Sequence, residues 1–566
     1  MKGWRFNTIL IFIFLIGATI IGRLVFLQII DYGYWKALAA GQQKFFEEIG
    51  PARGEIIVKD KMGNSYTLAT STESKLVYLS TKEVEDKDDT AEKLSTILGL
   101  KKEEIMNKMQ DDESMFVLLK EKLTDQEVKN INDLNLSGVH LETKNIRYYP
   151  LDTFACHVLG FVNNDLAGQY GIEGYYNNQL AGTAGFVEGE KSSKGYSLFF
   201  DTTSSPAEKG KDVTLTIDYN IQFFVEKLLK KAKEDLKIDS GTIVVADPLN
   251  GKILAIANYP EFNPNEYSKV RNLDIFQNTV LQKLYEPGSI FKPITMSAAI
   301  DQEKITPQTK YTDEGFLKIG IQTISNYGKR TYGEQTMTQV LEHSINTGAV
   351  FAEKAVGDSA FLNYVKAFGF LEGTGIDLQG EAWSENKNLK NGREINYATA
   401  AFGQGIEVTP IQLVRAFSVI ANGGKIVNPY IVENDNSQIK NVRQIISSKT
   451  ASQVQSMMVS VLENGYSKNI RIPGYYLAGK TGTAQIPWGA LGIDKSGYSD
   501  KTTQSFIGFG PAYNAKFLIL VKLDNPSANT AEYSAAPIFK ELVKYIIDYW
   551  QIPPDYDINE NTESNK

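Results

Sequence analysis

The hydrophobic pattern changes character several times along the chain, and each change marks an element. From Phe6 to Gly22 (FNTILIFIFLIGATIIG) no residue is charged, and after Arg23 the apolar run resumes as LVFLQII to Ile30. As a helix this stretch would span roughly 37 Å at about 1.5 Å per residue, enough for a bilayer core of roughly 30 Å. Arg23 stands near one end, where a long side chain can snorkel to the interface. Lys2 and Arg5 precede the run, so the positive-inside bias leaves the N-terminus in the cytoplasm and everything after Ile30 outside. A cleaved signal peptide is the alternative. The apolar run is long for one, however, and Ala37-Leu38-Ala39 comes late, after Tyr32, Tyr34 and Trp35, which read as an interfacial aromatic anchor.

Beyond the anchor the periodicity is mixed. Pro51 to Val58, then Lys61-Met62-Gly63-Asn64, reads as a strand, a Gly-Asn turn and a returning strand. Residues 82 to 135 carry Leu and Ile at helical spacing among Lys, Glu and Asp, whose charge runs are solvated helix faces. Lys211 to Asp218 opens a new regime, followed by a helix from about Tyr219 to Asp235. The strand pair GTIVVAD and KILAIAN is joined by Pro248-Leu249-Asn250-Gly251. SFIGFGP and KFLILVKL form a second pair, and a last helix runs from Ala536 to Trp550. Early strands, a helical middle and late strands predict an α+β fold, one antiparallel sheet with helices on both faces and a helical subdomain. Residues 552–566 read as a disordered tail.

Composition narrows the function. A chain of 566 residues implies two to four domains. Acidic groups outnumber basic ones, 67 to 59, and no Lys/Arg-dense stripe stands out, which argues against nucleic acid as a partner. Three scattered histidines (His140, His157, His343) and the single Cys156 supply no recognisable metal motif, so we expect no metal and no cofactor.

Candidate chemistry begins at Glu286-Pro287-Gly288-Ser289-Ile290-Phe291-Lys292, which leads into the apolar run ITMSAAI. Pro-Gly turns the chain, so Ser289 falls at a helix start with Lys292 three residues on, on the same face. A serine hydroxyl needs a base, and a lysine whose pKa is lowered by burial can be one. Ser384-Lys387 and Ser437-Lys440 repeat the spacing in polar, loop-like stretches. The second element is Ser344-Ile345-Asn346, between two helices. Alone it is weak, because Ser384, Ser467 and Ser527 also begin Ser-x-Asn and such residues routinely cap helices. The third, Lys480-Thr481-Gly482-Thr483, directly follows YYLAG, which reads as a strand; it is the chain's only Lys-Thr-Gly. The three stand in order, 55 and 136 residues apart. Together they are the signature of penicillin-binding proteins and serine β-lactamases.

The chain resembles a class B penicillin-binding protein over most of its length. YEPGSIFKP, AFGQGIEVTPIQL (from Ala401), LAGKTGTAQ, IGFGP and LTIDYNIQ resemble that family's transpeptidase domain. Arg53-Gly54, RYYPLDTFACHVLGFV (from Arg147) and GQYGIEGYYNNQLAGTAG (from Gly168) resemble its N-terminal pedestal. Two departures stand out: the strand after Arg53-Gly54 is about two residues longer than usual, and Ile345 replaces a frequent Ser. The resemblance implies a cytoplasmic tail (1–5), a transmembrane helix (6–30), a pedestal (31–209), a transpeptidase domain (210–551) and the tail (552–566). It implies Ser289 as nucleophile on a D-Ala-D-Ala carbonyl, Lys292 as its base, and Ser344 as proton relay. Asn346 would hold Lys292 and the substrate amide, and Lys480 would supply positive charge. Thr481, Gly482 and Thr483 line the carboxylate site, with the Ser289 and Thr483 N–H groups as oxyanion hole. Implied partners are stem peptides, β-lactams, the bilayer, a membrane glycan polymerase of the SEDS type, and the division or elongation machinery. The forms HSINTGAVF and AFGQGIEVTP favour the septal type.

A D,D-carboxypeptidase or β-lactamase shares the three elements but is typically smaller and lacks the pedestal. A non-catalytic β-lactam sensor, or a scaffold activating a polymerase, is the reading from another class. The topology is directly testable. Protease added to spheroplasts should digest the chain after Ile30; full protection, or a mature N-terminus beyond Ala39, would overturn this topology.

Overall fold

The computed structural model describes residues 3–30, 32, 44–111, 114–191, 197–433 and 442–557. At the N-terminus, Gly3–Val25 is α-helical and Phe26–Ile30 continues it as a π-helical turn. Among the described residues this is the one helix long and apolar enough to cross a membrane, and its large apolar side chains face outward.

The rest divides into two compact units that interleave in sequence, so the expected 31–209 segment is split between them. The first holds residues up to Arg53, Glu73–Asn145 and Ala181–Lys211; the second holds Gly54–Thr72, Ile146–Leu180 and Asp212 onward. In the first unit the helical spacing of residues 82 to 135 resolves into Lys87–Leu98, Lys102–Lys108 and Asp125–Leu134, with a strand, Val117–Lys120, between the last two. Asp86 caps the first helix, and Thr124 with Glu127 forms a capping box on the third. Their apolar faces (Leu94, Leu98, Ile105, Ile131) bury against Val77, Leu79 and Leu119.

In the second unit five strands form one antiparallel sheet: β1 (Ser240–Ala246), β2 (Ile253–Tyr259), β3 (Ala478–Pro487), β4 (Tyr498–Gly510) and β5 (Phe517–Asp524), in the order β2-β1-β5-β4-β3. Seven helices cover the sheet or carry candidate residues: α1 (Tyr219–Leu236), α2 (Lys292–Asp301), α3 (Met337–Glu342), α4 (Asn346–Val356), α5 (Pro410–Ala421), α6 (Ser448–Glu463) and α7 (Ala535–Trp550). Helices α1 and α7 touch each other and the sheet, as do α5 and α6. Every residue of β5 is buried, so the sheet is covered on both faces, and FLILVKLD reads as a near-continuous apolar run for that reason. The helix starts are written locally: Thr409-Pro410-x-Gln412 is a capping box with Pro at the first helical position, and Asp218 caps α1. Residues 552–557, expected within a disordered tail, pack back. Tyr475 donates to Ile552 O, and Tyr476 N to Asp555 Oδ2. The remainder of that tail lies outside the described residues.

One buried ion pair ties the early segments of this unit together. Arg147 Nε meets Glu173 Oε1 at 2.5 Å with both side chains almost wholly buried, and Arg147 Nη1 donates to Gly54 O at 2.7 Å. Tyr149 adds its hydroxyl to the same carboxylate oxygen. Removing one partner of a buried pair strands the other, at about 3–5 kcal/mol. Glu173→Ala should therefore lower the free energy of unfolding of this unit by that amount in urea titrations; a loss below about 1 kcal/mol would show that solvent reaches the pair.

Candidate active site

Helix α2 is buried on all sides over Lys292–Ile300, as the unbroken apolar run after Lys292 requires. It is entered through a 3₁₀ turn, Gly288–Phe291, that presents a half-buried Ser289. The segment from Ala401 clamps this turn. Gly288 N donates to Gly403 O at 2.9 Å, and Tyr285 and Val408 exchange two backbone hydrogen bonds. The Glu286 carboxylate accepts from Gly405 N and from the Tyr498 hydroxyl. Gly403 has φ +81°, and a Cβ there would lie 2.1 Å from Gly288 O, so no side chain fits. On the other side the turn abuts β3: a Cβ on Gly482 would lie 2.9 Å from Pro287 O and 3.0 Å from Ile290 Cγ2. Lys480 to Thr483 lie inside β3 rather than at its end. Lys480 pairs with Ile507 and Thr483 with Gln504, because β4 runs alongside to Pro487.

Both candidate lysines reach one hydroxyl. Lys292 Nζ lies 2.5 Å from Ser344 O, 2.8 Å from Asn346 Oδ1 and 3.2 Å from Ser344 Oγ. Lys480 Nζ donates to Ser344 Oγ at 3.0 Å and to Thr481 O at 3.1 Å. Ser344 sits in the left-handed region, φ +55°, at the bend between α3 and α4, and this aims its carbonyl and hydroxyl at the same amine. The i, i+3 spacing predicts that the lysine amine reaches Ser289 Oγ. The hydrogen bonds of Lys292 Nζ run instead to two residues of the neighbouring bend, Ser344 and Asn346. Thr481 is buried, while Thr483 is half-buried and its hydroxyl accepts from Ala531 N.

Burial holds Lys292 well below the usual lysine range, and the charge of Lys480 pushes it further down. Burial also lowers Lys480, to about 8, with Glu532 opposing the shift. A neutral amine offers two N–H groups and one lone pair. Ser344 O and Asn346 Oδ1 can only accept, so they take the two N–H groups, which leaves the lone pair free for a hydroxyl proton. Neutral Lys292 and protonated Lys480 therefore satisfy every contact around Ser344 Oγ. Among the described residues no three His, Cys, Asp or Glu side chains gather as metal ligands.

A support network behind Asn346 has no motif in the sequence. Asn326 Oδ1 accepts from Asn346 N at 3.0 Å and Thr347 N at 3.2 Å, while its Nδ2 donates to both Asp313 oxygens and to Arg330 O. Thr347 Oγ1 also donates to Asp313. Burial would raise the Asp313 carboxyl, but the hydrogen bonds from Thr347 and Asn326 outweigh it and keep it below its ordinary value. Asn346 Nδ2 donates to Ser325 O, which fixes Oδ1 toward Lys292. Of the other Ser-x-x-Lys pairs, Ser384 faces Glu407 in a loop, and Ser437-Lys440 lies outside the described residues.

Residues 241–544 match the family model described as the penicillin binding protein transpeptidase domain, and 48–215 match that of the penicillin-binding protein dimerisation domain. The chain is 32% identical to Stage V sporulation protein D of Bacillus subtilis, covering 87% of this chain and 78% of that protein. It is 27% identical to peptidoglycan D,D-transpeptidase FtsI of Escherichia coli, covering 98% and 93%. Penicillin Binding Protein 2X from Streptococcus thermophilus superposes with a TM-score of 0.69 at 26% identity, over 90% of this chain and 81% of that one.

The two close approaches at the Ser289 turn predict an order of damage. Gly403→Ala adds a clash with backbone at positive φ, whereas the Gly482→Ala methyl first meets the movable Ser505 hydroxyl at 2.7 Å. Overpacking costs typically about 1–3 kcal/mol. Urea unfolding should place Gly482→Ala in that range and Gly403→Ala above it; equal or reversed losses would show that the turn is not held from the Gly403 side.

Proposed function

Because the chain belongs to the penicillin-binding protein transpeptidase family, we propose that it is a membrane-anchored peptidoglycan D,D-transpeptidase acting through an acyl-serine at Ser289. One observation carries the assignment of roles: two buried amines with unequal proton affinity meet at Ser344 Oγ, beside a serine turn pinned to β3. Ser289 gives its proton to neutral Lys292 as Oγ bonds to the carbonyl carbon between two terminal D-alanines. The C–N bond breaks, and the departing amine takes a proton through Ser344, whose oxygen Lys480 polarises. Thr481 and Thr483, on Gly482's strand, hold the terminal carboxylate, and the Ser289 and Thr483 N–H groups hold the oxyanion. The amine of a second stem peptide then attacks the ester, and its proton returns to Ser289 Oγ. β-Lactams, whose amide mimics the scissile bond, acylate the same serine.

The apolar N-terminal helix supports a single-pass membrane anchor, and the Lys2/Arg5 bias supports a cytoplasmic N-terminus with the catalytic unit outside. We take residues 31–209 as the pedestal and 210–551 as the transpeptidase domain. A septal role, working with a membrane glycan polymerase of the SEDS type, is supported by HSINTGAVF and AFGQGIEVTP.

Acylation by a fluorescent penicillin separates base from charge. Ser289→Ala should abolish labelling. Lys292→Arg should lose it nearly as completely, by orders of magnitude in second-order rate, because guanidinium keeps its proton at any workable pH. Lys480→Arg should lose less, since arginine keeps the charge. For wild type the rate should fall on the acid side as Lys292 takes a proton, and again above about pH 8 as Lys480 loses its own. Labelling of Lys292→Arg within a few-fold of wild type, with circular dichroism showing a native fold, would remove lysine as the base.

A further inference from the structure

The network that fixes Asn346 continues outward to an exposed cation. Asn326, which accepts from Asn346 N, donates from Nδ2 to Arg330 O at 3.1 Å and closes the turn 326–330 through Lys329 N. Two residues on, Tyr332 N donates to Asp313 Oδ2. The backbone that carries Arg330 is thus anchored to the groups that anchor Asn346. Its side chain is held as well. Arg330 Nη1 donates to the Tyr466 hydroxyl at 3.1 Å, the guanidinium carbon stands 5.8 Å from the Tyr466 ring centroid, and the Tyr332 and Tyr466 hydroxyls are 3.3 Å apart. His343, the residue before Ser344, stacks on Tyr332 with centroids 5.5 Å apart and an interplanar angle of 8°. An unbroken run of contacts therefore leads from Ser344 through His343 and the two tyrosines to Arg330.

Arg330 itself is exposed, and among the described residues no carboxylate lies within ion-pair distance of it. Glu334, the nearest acid in sequence on that side, pairs with Lys310 at 2.8 Å. A surface arginine normally spends its charge on a neighbouring carboxylate or on mobile water. This one is immobilised on an aromatic platform with its charge unpaired, beside the residues that hold the scissile amide. Preorganised guanidinium is suited to planar, bidentate capture of a carboxylate. The substrate of the proposed reaction has one carboxylate at its C-terminus, assigned to Thr481 and Thr483, so Arg330 has no claim on that one.

We propose that Arg330, on its Tyr332–Tyr466 platform, is a substrate-binding residue that takes a second carboxylate of the stem peptide, one displaced from the reacting D-alanine end. This rests on the transpeptidase reading, and the test separates the two. Full-length wild type, Arg330→Gln and Arg330→Lys in detergent are assayed with stem peptides bearing either free internal carboxylates or the matching carboxamides, with penicillin acylation measured alongside. Arg330→Gln should raise KM for the acidic peptide about tenfold with kcat within about twofold, leave the amidated peptide unchanged, and acylate with penicillin at the wild-type rate. Arg330→Lys should recover part of the KM. A defect in D-alanine release would place the carboxylate on the donor peptide, and one in cross-linked product at constant D-alanine release on the acceptor; either supports the proposal. Equal losses on acidic and amidated peptides, or none on either, would overturn it. Wild type that binds penicillin but processes neither peptide would overturn the transpeptidase reading and this proposal with it.

Discussion

Two amines cannot both carry a full charge within hydrogen-bond reach of one buried oxygen unless something neutralises them. Ser344 Oγ lies 3.2 Å from Lys292 Nζ and 3.0 Å from Lys480 Nζ, and both side chains are buried. Desolvation disfavours each ammonium, and their mutual repulsion adds to the cost of charging both. Lys292, faced only by neutral acceptors, yields its proton; Lys480, with Glu532 in electrostatic range, keeps it to about pH 8. A neutral amine and a fixed positive charge thus arise from two chemically identical side chains. What differs is the surroundings, and the rest of the unit maintains that difference.

Maintaining it means holding three separately folded pieces in register. Lys292 comes from the first turn of α2, Lys480 from mid-strand in β3, and Ser344 with Asn346 from the bend before α4. Each is over-determined. The Ser289 turn is trapped between Gly403 and Gly482, positions where a methyl group would collide. The bend is fixed by Asn326 and Asp313, which is how Ser344 can stay in a left-handed conformation that costs about 1–3 kcal/mol for a residue with a side chain.

How much of the site is legible in the chain depends on how local the signal is. Ser289, Lys292 and the Lys-Thr-Gly run stand in short segments whose neighbours (Pro-Gly, an apolar helix, an apolar strand) announce their geometry. The strand's extent is less visible: the apolar run ends at Gly479, yet pairing with β4 carries β3 to Pro487. The i, i+3 rule places Lys292 on the right face but cannot say that Ser344 and Asn346 occupy its amine. Asp313, Asn326, Thr347 and Arg330 carry no periodicity or motif. Asn326 reaches Asn346 across 20 residues by a side-chain hydrogen bond, and no pattern of hydrophobic positions encodes that. Gly403 and Gly482 matter because of backbone brought up from 115 or more residues away in the chain, which spacing alone cannot show.

The sheet contains its own control for reading a buried lysine as functional. Lys522, on β5, is as buried as Lys480 on β3, but its amine lies 2.7 Å from both oxygens of Asp524. Burial alone would raise Asp524, yet Lys522 and Lys283 outweigh it and hold the carboxyl at about 2, with Ser240 and Thr503 donating to the same group. That lysine brings its counter-charge with it. Lys480 has none in contact, and its shift from 10.5 to about 8 corresponds to about 3 kcal/mol that the fold forgoes to keep it protonated. Between about pH 8 and 10.5 the unfolded chain binds this proton more readily than the folded one, so stability falls as pH drops through that window, and the full cost is present below it. Swapping Lys480 for an apolar residue would relieve the cost. A residue whose charge weakens the fold, held by neutral acceptors against the hydroxyl beside a serine turn, gives the sheet nothing, and the proposed role of Lys480 accounts for that cost.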